Sequence, residues 1–435
     1  MLRSAISELI EWKNRTNHKP MLIRGARQVG KTWLMQEFGH THFAKTAYIN
    51  FDDNIRMAAL FEGNLDIQRI IAALQIEADT AITPDDTLLI FDEVQEVPRA
   101  LTSLKYFNEN APQYSIVAAG SMLGVALHQG TSFPVGKVEF MDLYPMNFCE
   151  FLEATVGSQF AQLLRTEEPD MQMITTFKSK YIDALRQYYY IGGMPEVVSA
   201  FAERHDYDEV RRIQMRILSA YEQDFSKHAP NEIVPRIRML WNSIPAQLAR
   251  ENRKFVYGQI REGARAREFE LAIQWLLDCG LIHRVNRITK PDMPLMAYAD
   301  LSSFKIFIPD VGLLSAKSDL DIKSLIEGNR IFEEFKGSLS EQYVFQQLLS
   351  DCKIRPYYWS AERATAEVDF VFQHGSGIVP LEVKAEESLK AKSLRQYYDK
   401  YEPSIAIRSS MSDFRRETWL INLPLYAITC LKAFC

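Results

Sequence analysis

Two groups of residues in this chain have the types and spacing to do chemistry. The first is GARQVGKT, residues 25–32. Gly25 and Gly30 let the backbone turn so that successive N–H groups, those of Ala26, Arg27, Gln28 and Val29 among them, face an anion. Lys31 would reach the β- and γ-phosphates of a nucleotide, and Thr32 would ligate magnesium. A helix beginning here adds a favourable partial positive charge. Further on, LLIFDEVQ carries four apolar residues that end at Asp92 and Glu93. Both carboxylates then emerge at the carboxyl end of a buried strand, the edge where open α/β sheets bind ligands. Asp92 is assigned to magnesium, directly or through water. Glu93 is assigned to orienting or deprotonating the attacking water. Ser121, at the end of IVAAGS, is a polar sensor of the γ-phosphate. The implied ligands are ATP and Mg2+, and the catalytic set is Lys31, Glu93 and Ser121. Arg24, Arg27 and Arg99 lie near these motifs and read as solvated or structural charges.

The second group is EVDFVFQHGSGIVPLEVKA, residues 367–385. Nucleases of the PD-(D/E)XK type place an acid on one strand and an acid–x–Lys on the next. In a strand the side chains alternate, so Glu382 and Lys384 share a face, with Val383 in the opposite layer. Asp369 lies on the partner strand across the QHGSG turn. Asp369 and Glu382 could hold a divalent ion while Lys384 activates water. Glu341, on the preceding helix, could complete the set, and Gln396 on the following helix could add a polar contact. The competing reading is a hairpin with solvated charges, against which the apolar Val368, Phe370, Val371, Val379 and Leu381 count.

These residues require elements to position them. MLIRG, TAYINF, TLLIFDE and YSIVAAGS are apolar at nearly every position, as in parallel strands buried on both faces. Helical patterns separate them, giving a βαβ rhythm and a doubly covered parallel sheet. From about 144 to 250 the pattern is helical. REFELAIQWLLDCGLIHRVNRI reads as a helix that ends at Gly280 and runs into a strand, the second half of a winged helix. FKIFIPDVGLL adds strand character, SAKSDLDIKSLIEGN reads as a linker, and FEEFKGSLSEQYVFQQLLSD is helical. The expected fold class is α/β: a P-loop core over 1–170, a helical lid over 171–235, a winged-helix-like segment over 236–325 and an endonuclease-like domain over 326–435.

At 435 residues the chain exceeds one ordinary core. Its formal net charge of −6 excludes a basic field over the whole molecule, so any nucleic-acid contact needs a local patch. The stretch 248–270 supplies one candidate in Arg250, Arg253, Lys254, Arg261, Arg265 and Arg267, although four glutamates interleave. Its alternative is a solvated, salt-bridged helix pair. The five cysteines are scattered without a CxxC pair, which fits a reduced cytoplasmic protein and no cysteine zinc site. The first 20 residues read as an amphipathic helix rather than a secretory signal. No uncharged apolar run approaches membrane-spanning length.

KPMLIRGARQVGKTWLMQEFG, LLIFDEVQEVP, IVAAGSMLG, LYPMNFCEFL, YIGGMPEVV and FKIFIPDVGLL occur in this order in a large group of prokaryotic AAA-like ATPases with a C-terminal restriction-endonuclease-like domain. The chain resembles that group from about residue 10 to about residue 410. The resemblance implies ATP binding by Gly25 to Thr32 and magnesium handling by Asp92. Many relatives have Gly-Arg where this chain has Gly136-Lys137; if that arginine senses phosphate in relatives, Lys137 would do so as a point charge without bidentate geometry. The leading expectation is Mg-dependent ATP hydrolysis coupled to motion of the C-terminal domain. The alternatives are a Mg-dependent DNA nuclease regulated by ATP, and a non-enzymatic nucleotide-stabilised binding module. DNA, through 248–270 and the C-terminal domain, and a protein are the candidate macromolecular partners.

Overall fold

The strands expected to be buried on both faces pair into one parallel sheet. The computed structural model describes residues 3–121, 123, 134–250, 254–322, 333–361, 366–387 and 391–435. Arg253, residues 323–329 of the SAKSDLDIKSLIEGN stretch and IVAAGSMLG beyond Ser121, except Leu123, lie outside the described residues. The chain divides into two compact units. The N-terminal unit comprises Arg3–Tyr144 with Asp278–Gly280, and the C-terminal unit comprises Pro145–Leu277 with Leu281–Cys435.

In the N-terminal unit, β1 (Met21–Arg24), β2 (Lys45–Asn50), β3 (Thr87–Asp92), β4 (Ser115–Ala119) and β5 (Glu139–Asp142) form a sheet of order β2-β3-β4-β1-β5. All its pairings are parallel. Among the described residues of this unit lie the helices α1 (Ala5–Asn14), α2 (Lys31–His42), α3 (Ile55–Glu62), α4 (Ile67–Glu77) and α5 (Pro98–Asn110). Leu88, Leu89, Ile90 and Phe91 are wholly buried in β3, as their unbroken apolar run requires. One core cluster packs Leu89 and Phe91 with Phe51, Phe61, Leu104 and Phe107. The edge strand β5 has no counterpart among the strands expected from sequence. Its residues, EFMD, are mostly exposed, so the apolar run that marks an internal strand is missing.

The C-terminal unit opens with helices, including Phe148–Thr155, Ser158–Arg165, Lys178–Ile191, Pro195–Arg204, Tyr207–His228, Val234–Leu248 and Ala266–Asp278. The last begins in this unit, and its final residue is counted with the N-terminal one. An eight-stranded mixed sheet follows, of order β12-β13-β11-β10-β9-β8-β6-β7. Its strands are β6 (His283–Ile288), β7 (Ala299–Phe307), β8 (Tyr357–Ser360), β9 (Glu367–His374), β10 (Gly377–Val383), β11 (Ala406–Ser410), β12 (Arg415–Arg416) and β13 (Leu420–Pro424). The antiparallel hairpin β6–β7 is therefore continuous with the strands that carry Asp369 and Glu382, because β6 pairs with β8.

FKIFIPDVGLL is strand only through Phe307. Asp310 then accepts the Leu313 amide at 3.0 Å and caps the helix Val311–Lys317. The same carboxylate accepts the Gly193 amide at 2.6 Å, and the Gly193 carbonyl accepts the Met146 amide at 2.6 Å. A Cβ on Gly193 would lie 2.0 Å from the Met146 carbonyl oxygen, so only glycine allows this approach. LYPMNF, YIGGMP and IPDVGLL thus converge on one buried knot. Tyr188, Tyr189 and Tyr190 are core residues, as are Tyr357, Tyr358 and Trp359.

Candidate nucleotide site and C-terminal acid cluster

β1 delivers GARQVGKT to the carboxyl edge of the parallel sheet, and α2 begins at Lys31 behind it. Gly25 has φ +149°, and a Cβ there would lie 2.2 Å from the Leu143 carbonyl oxygen. Gln28 and Gly30 also have positive φ, at 67° and 91°. Ala26 and Val29 are buried and anchor the loop, while Arg27 and Gln28 are exposed at its crest. Arg3, itself buried, donates to the Val29 carbonyl at 3.0 Å and to the Tyr144 carbonyl at 2.6 Å, fixing the loop from beneath. Nothing in the sequence near Arg3 signals that role.

Lys31 is buried, and its ammonium donates to the carbonyls of Gly25 at 2.9 Å and Ala26 at 2.8 Å. Burial pulls its pKa down to about 8, against the opposing pull of Glu93 and Asp92. Thr32 Oγ1 donates to Asp92 Oδ2 at 2.7 Å, and the Tyr48 hydroxyl donates to the same oxygen at 2.9 Å. Burial, reinforced by Asp92, raises the Tyr48 pKa, so the phenol stays a donor. The Asp92 carboxylate and Thr32 hydroxyl are hard oxygen donors side by side. That is the donor set magnesium uses when phosphates and water supply the rest.

Glu93 follows at the strand end in a left-handed conformation, φ 50° and ψ 43°. Strain of this kind in a non-glycine residue persists only where neighbours hold it. Here Ser121 Oγ donates to Glu93 Oε1 at 2.8 Å, the Ser121 amide to Oε2 at 3.3 Å, and Gln95 Nε2 to Oε2 at 2.7 Å. Burial pushes the Glu93 carboxyl up. The bonds from Gln95 and Ser121 and the charge of Lys31 outweigh it and hold the carboxyl below its usual range. Lys31, Thr32, Asp92, Glu93 and Ser121 are therefore one connected group. Tyr48 and Gln95 join it without having been singled out by sequence.

The nearby arginines have structural partners. Arg24 makes a two-pronged bond to Asp142 at 2.9 and 3.0 Å, and Arg99 donates to the carbonyls of Phe61 and Gly63. Lys137 precedes β5, whereas the phosphate loop follows β1. Those strands are parallel, so Lys137 belongs to the opposite sheet edge, where it pairs with Glu109 at 3.0 Å. That placement corrects the expectation that Lys137 would meet the phosphates of its own chain's site.

The second group also assembles, in the C-terminal unit. Asp369 Oδ2 accepts the Val383 amide at 2.8 Å, and Lys384 Nζ pairs with Glu382 Oε1 at 2.7 Å. Burial raises the Glu382 pKa, against the pull of Lys384. Glu341 comes from the helix Glu333–Ser350. The sequence offered no hint of the residue in their midst, Lys305 on β7. Its ammonium lies 2.9 Å from Glu341, 2.6 Å from Glu367 and 3.8 Å from Asp369. Lys305 thus supplies a cation to Glu341, Glu367 and Asp369, and no contact of its ammonium with Glu382 is among these pairs. Among the described residues, no group of three or more His, Cys, Asp or Glu is arranged to hold a metal. Gln396 lines a separate open cleft of about 810 Å³ with Lys392, Arg395, Arg408 and Trp419.

The stretch 248–270 runs from the end of the helix Val234–Leu248 to the helix that starts at Ala266, with a 3-10 turn over Tyr257–Gln259 before the latter. Arg261 pairs with Glu268, while Arg250, Arg265 and Arg267 are exposed. Among the described residues, no helix is long and apolar enough to cross a membrane.

Fold and site together define a P-loop ATPase-type α/β domain. Residues 17–152 match a family model described as an AAA domain. Two further models, each described as a domain of unknown function (DUF8612 and DUF4143), match residues 182–324 and 336–426. Comparison with curated proteins gives no match. Among solved structures, the Walker-type ATPase PABY2304 of Pyrococcus abyssi is 14% identical, with a TM-score of 0.43 over 73% of this chain and 95% of that one. The Aeropyrum pernix ORC1 protein in complex with DNA is 12% identical, with a TM-score of 0.26 over 73% and 93%. Cdc6p of Pyrobaculum aerophilum is 14% identical, with a TM-score of 0.24 over 74% and 93%.

Proposed function

We propose that this protein binds ATP with magnesium and hydrolyses it to ADP and phosphate. The observation that carries the reading is the convergence of Lys31, Thr32, Asp92 and a hydrogen-bonded Glu93 at one strand edge, beside the amides of residues 25–30. Lys31 would leave the two carbonyls it now bonds and meet the β- and γ-phosphates. Thr32 and Asp92 would hold magnesium, which when bound neutralises charge on the phosphates. Glu93, held as a carboxylate, would accept a proton from water as the water oxygen attacks the γ-phosphorus. The bond to the β–γ bridging oxygen then breaks, and ADP leaves with that oxygen. Glu93 accepts one hydrogen bond on Oε1 and two on Oε2, so Oε1 keeps a lone pair for the proton of water. Ser121, beside it, would sense the γ-phosphate.

Hydrolysis would drive motion of the C-terminal unit, readable as nucleotide-dependent hydrogen exchange in residues 281–435. DNA as a partner draws on the exposed Arg250, Arg265 and Arg267. The deciding experiment is phosphate release from Mg-ATP, with and without double-stranded DNA, for the wild type and Glu93→Gln. Release abolished by Glu93→Gln supports the assignment, and equal release from both proteins sinks it. Stimulation by DNA makes DNA the partner, whereas indifference to DNA directs the search to a protein.

A further inference from the structure

We propose that the Lys305 ammonium is the resident cation of the C-terminal acid cluster, standing in the role a divalent ion fills at a nuclease centre, so that the cluster is a metal-independent brace. Lys305 and Glu341 are wholly buried, and Glu367 and Asp369 are about one-fifth exposed at 23% and 17%. Three elements meet at the ammonium: β7 supplies Lys305, β9 supplies Glu367 and Asp369, and the helix Glu333–Ser350 supplies Glu341. The ring of Tyr358 covers it, with its centroid 5.1 Å away.

Buried charges persist when they are paired and hydrogen-bonded. An ammonium has three donors and no acceptor. Lys305 donates to Glu341 at 2.9 Å and pairs with Glu367 at 2.6 Å, while Asp369, at 3.8 Å, is an ion-pair neighbour beyond hydrogen-bond reach. Asp369 turns its other oxygen to the Val383 amide, and Glu382 is held by Lys384, with Arg408 its register partner on β11. Lys305 and Lys384 together offset two of the four charges of Glu341, Glu367, Asp369 and Glu382, and an ion entering among Glu341, Glu367 and Asp369 would have to expel a lysine that has no exposed surface. The acid–x–Lys trio at the end of β10 is present while the charge it usually serves comes from the protein itself.

The test is Mn2+ binding by paramagnetic resonance on the full chain without nucleotide, in an Asp92→Asn background so that the acid at the end of β3 contributes nothing. We expect no bound Mn2+ at millimolar metal, and melting unmoved by Mn2+ or by a chelator. One Mn2+ per chain that disappears with Glu382→Gln or Asp369→Asn would overturn the proposal. Lys305→Met gives a second reading, because it leaves the acids without their central cation. That variant should melt several degrees lower, bind one Mn2+ and regain stability when Mn2+ is added. A Lys305→Met protein that melts with the wild type and gains nothing from Mn2+ would equally overturn it. If the variant does not fold, the Mn2+ titration of the Asp92→Asn protein decides alone.

Discussion

Thr32 and Asp92 share a 2.7 Å hydrogen bond that ties the first turn of α2 to the end of β3. The two residues are 60 positions apart, and their oxygens occupy adjacent corners of the site where magnesium and the terminal phosphates would meet. Because the bond joins a hydroxyl donor to a carboxylate, it sets the distance between the two oxygens before any ligand arrives. The neighbours of this pair govern what substitutions should do.

Glu93→Gln keeps the shape of the side chain and its bond from Ser121, but an amide cannot accept the proton of water. Phosphate release should fall by roughly 10²–10⁴-fold, while ATP affinity by equilibrium binding stays within a few-fold. Turnover faster than wild type would remove Glu93 from the mechanism.

Tyr48→Phe deletes one of the donors that orient Asp92 and leaves the ring packing intact. The magnesium concentration that gives half-maximal release should rise roughly tenfold, equivalent to ~1.4 kcal/mol of lost positioning. ATP binding without magnesium should not change. An unaltered magnesium dependence would reduce Tyr48 to a packing residue.

Asp310→Asn places an amide NH2 where one carboxylate oxygen accepts backbone N–H groups, so it should destabilise the C-terminal unit by ~2–4 kcal/mol in denaturant melts. The pH dependence of that cost has a definite sign. Burial raises the Asp310 pKa to about 6, from 3.8, against the pull of its amide donors. The folded chain therefore keeps this proton between about pH 4 and pH 6, where the unfolded chain has released it. The contribution of Asp310 to stability falls as pH rises through that window. The Asn variant does not titrate, so its cost should be greater at pH 5 than at pH 8, by about 1 kcal/mol. A larger cost at pH 8 would mean that the surrounding amides outweigh burial.

Gly193→Ala forces a methyl to 2.0 Å from the Met146 carbonyl oxygen and 2.9 Å from the Met146 amide nitrogen. These are backbone atoms that cannot swing aside, so the variant should lose ~3 kcal/mol or fail to accumulate. Gly258→Ala is the control, since a Cβ there meets nothing within 4 Å. It should cost less than about 1 kcal/mol. Equal melting of the two variants would contradict the close approach of LYPMNF and YIGGMP.

What the sequence determined by itself was local. GARQVGKT folds into its loop because two glycines, a lysine and a threonine lie within eight consecutive residues, between an apolar strand and a helix. Asp92 and Glu93 were readable because the unbroken run LLIF can only be an internal strand, which fixes where its end must lie. Glu382 and Lys384 were readable as neighbours because strand side chains alternate. The edge strand β5 was not readable, since half its surroundings are water and its residues carry no burial pattern. Only tertiary structure decided which distant groups complete each site. Tyr48 reaches Asp92 because β2 lies beside β3, and Arg3 reaches Val29 because the chain start passes beneath the loop. Lys305 sits in an apolar strand as one more charge in FKIF, and its spacing from Glu341, Glu367 and Asp369 carries no period. Its role exists only once β7, β9 and the helix Glu333–Ser350 have closed around it. A buried ammonium takes its function from the carboxylates that surround it, and those are set by packing across the fold rather than by any neighbour in the chain.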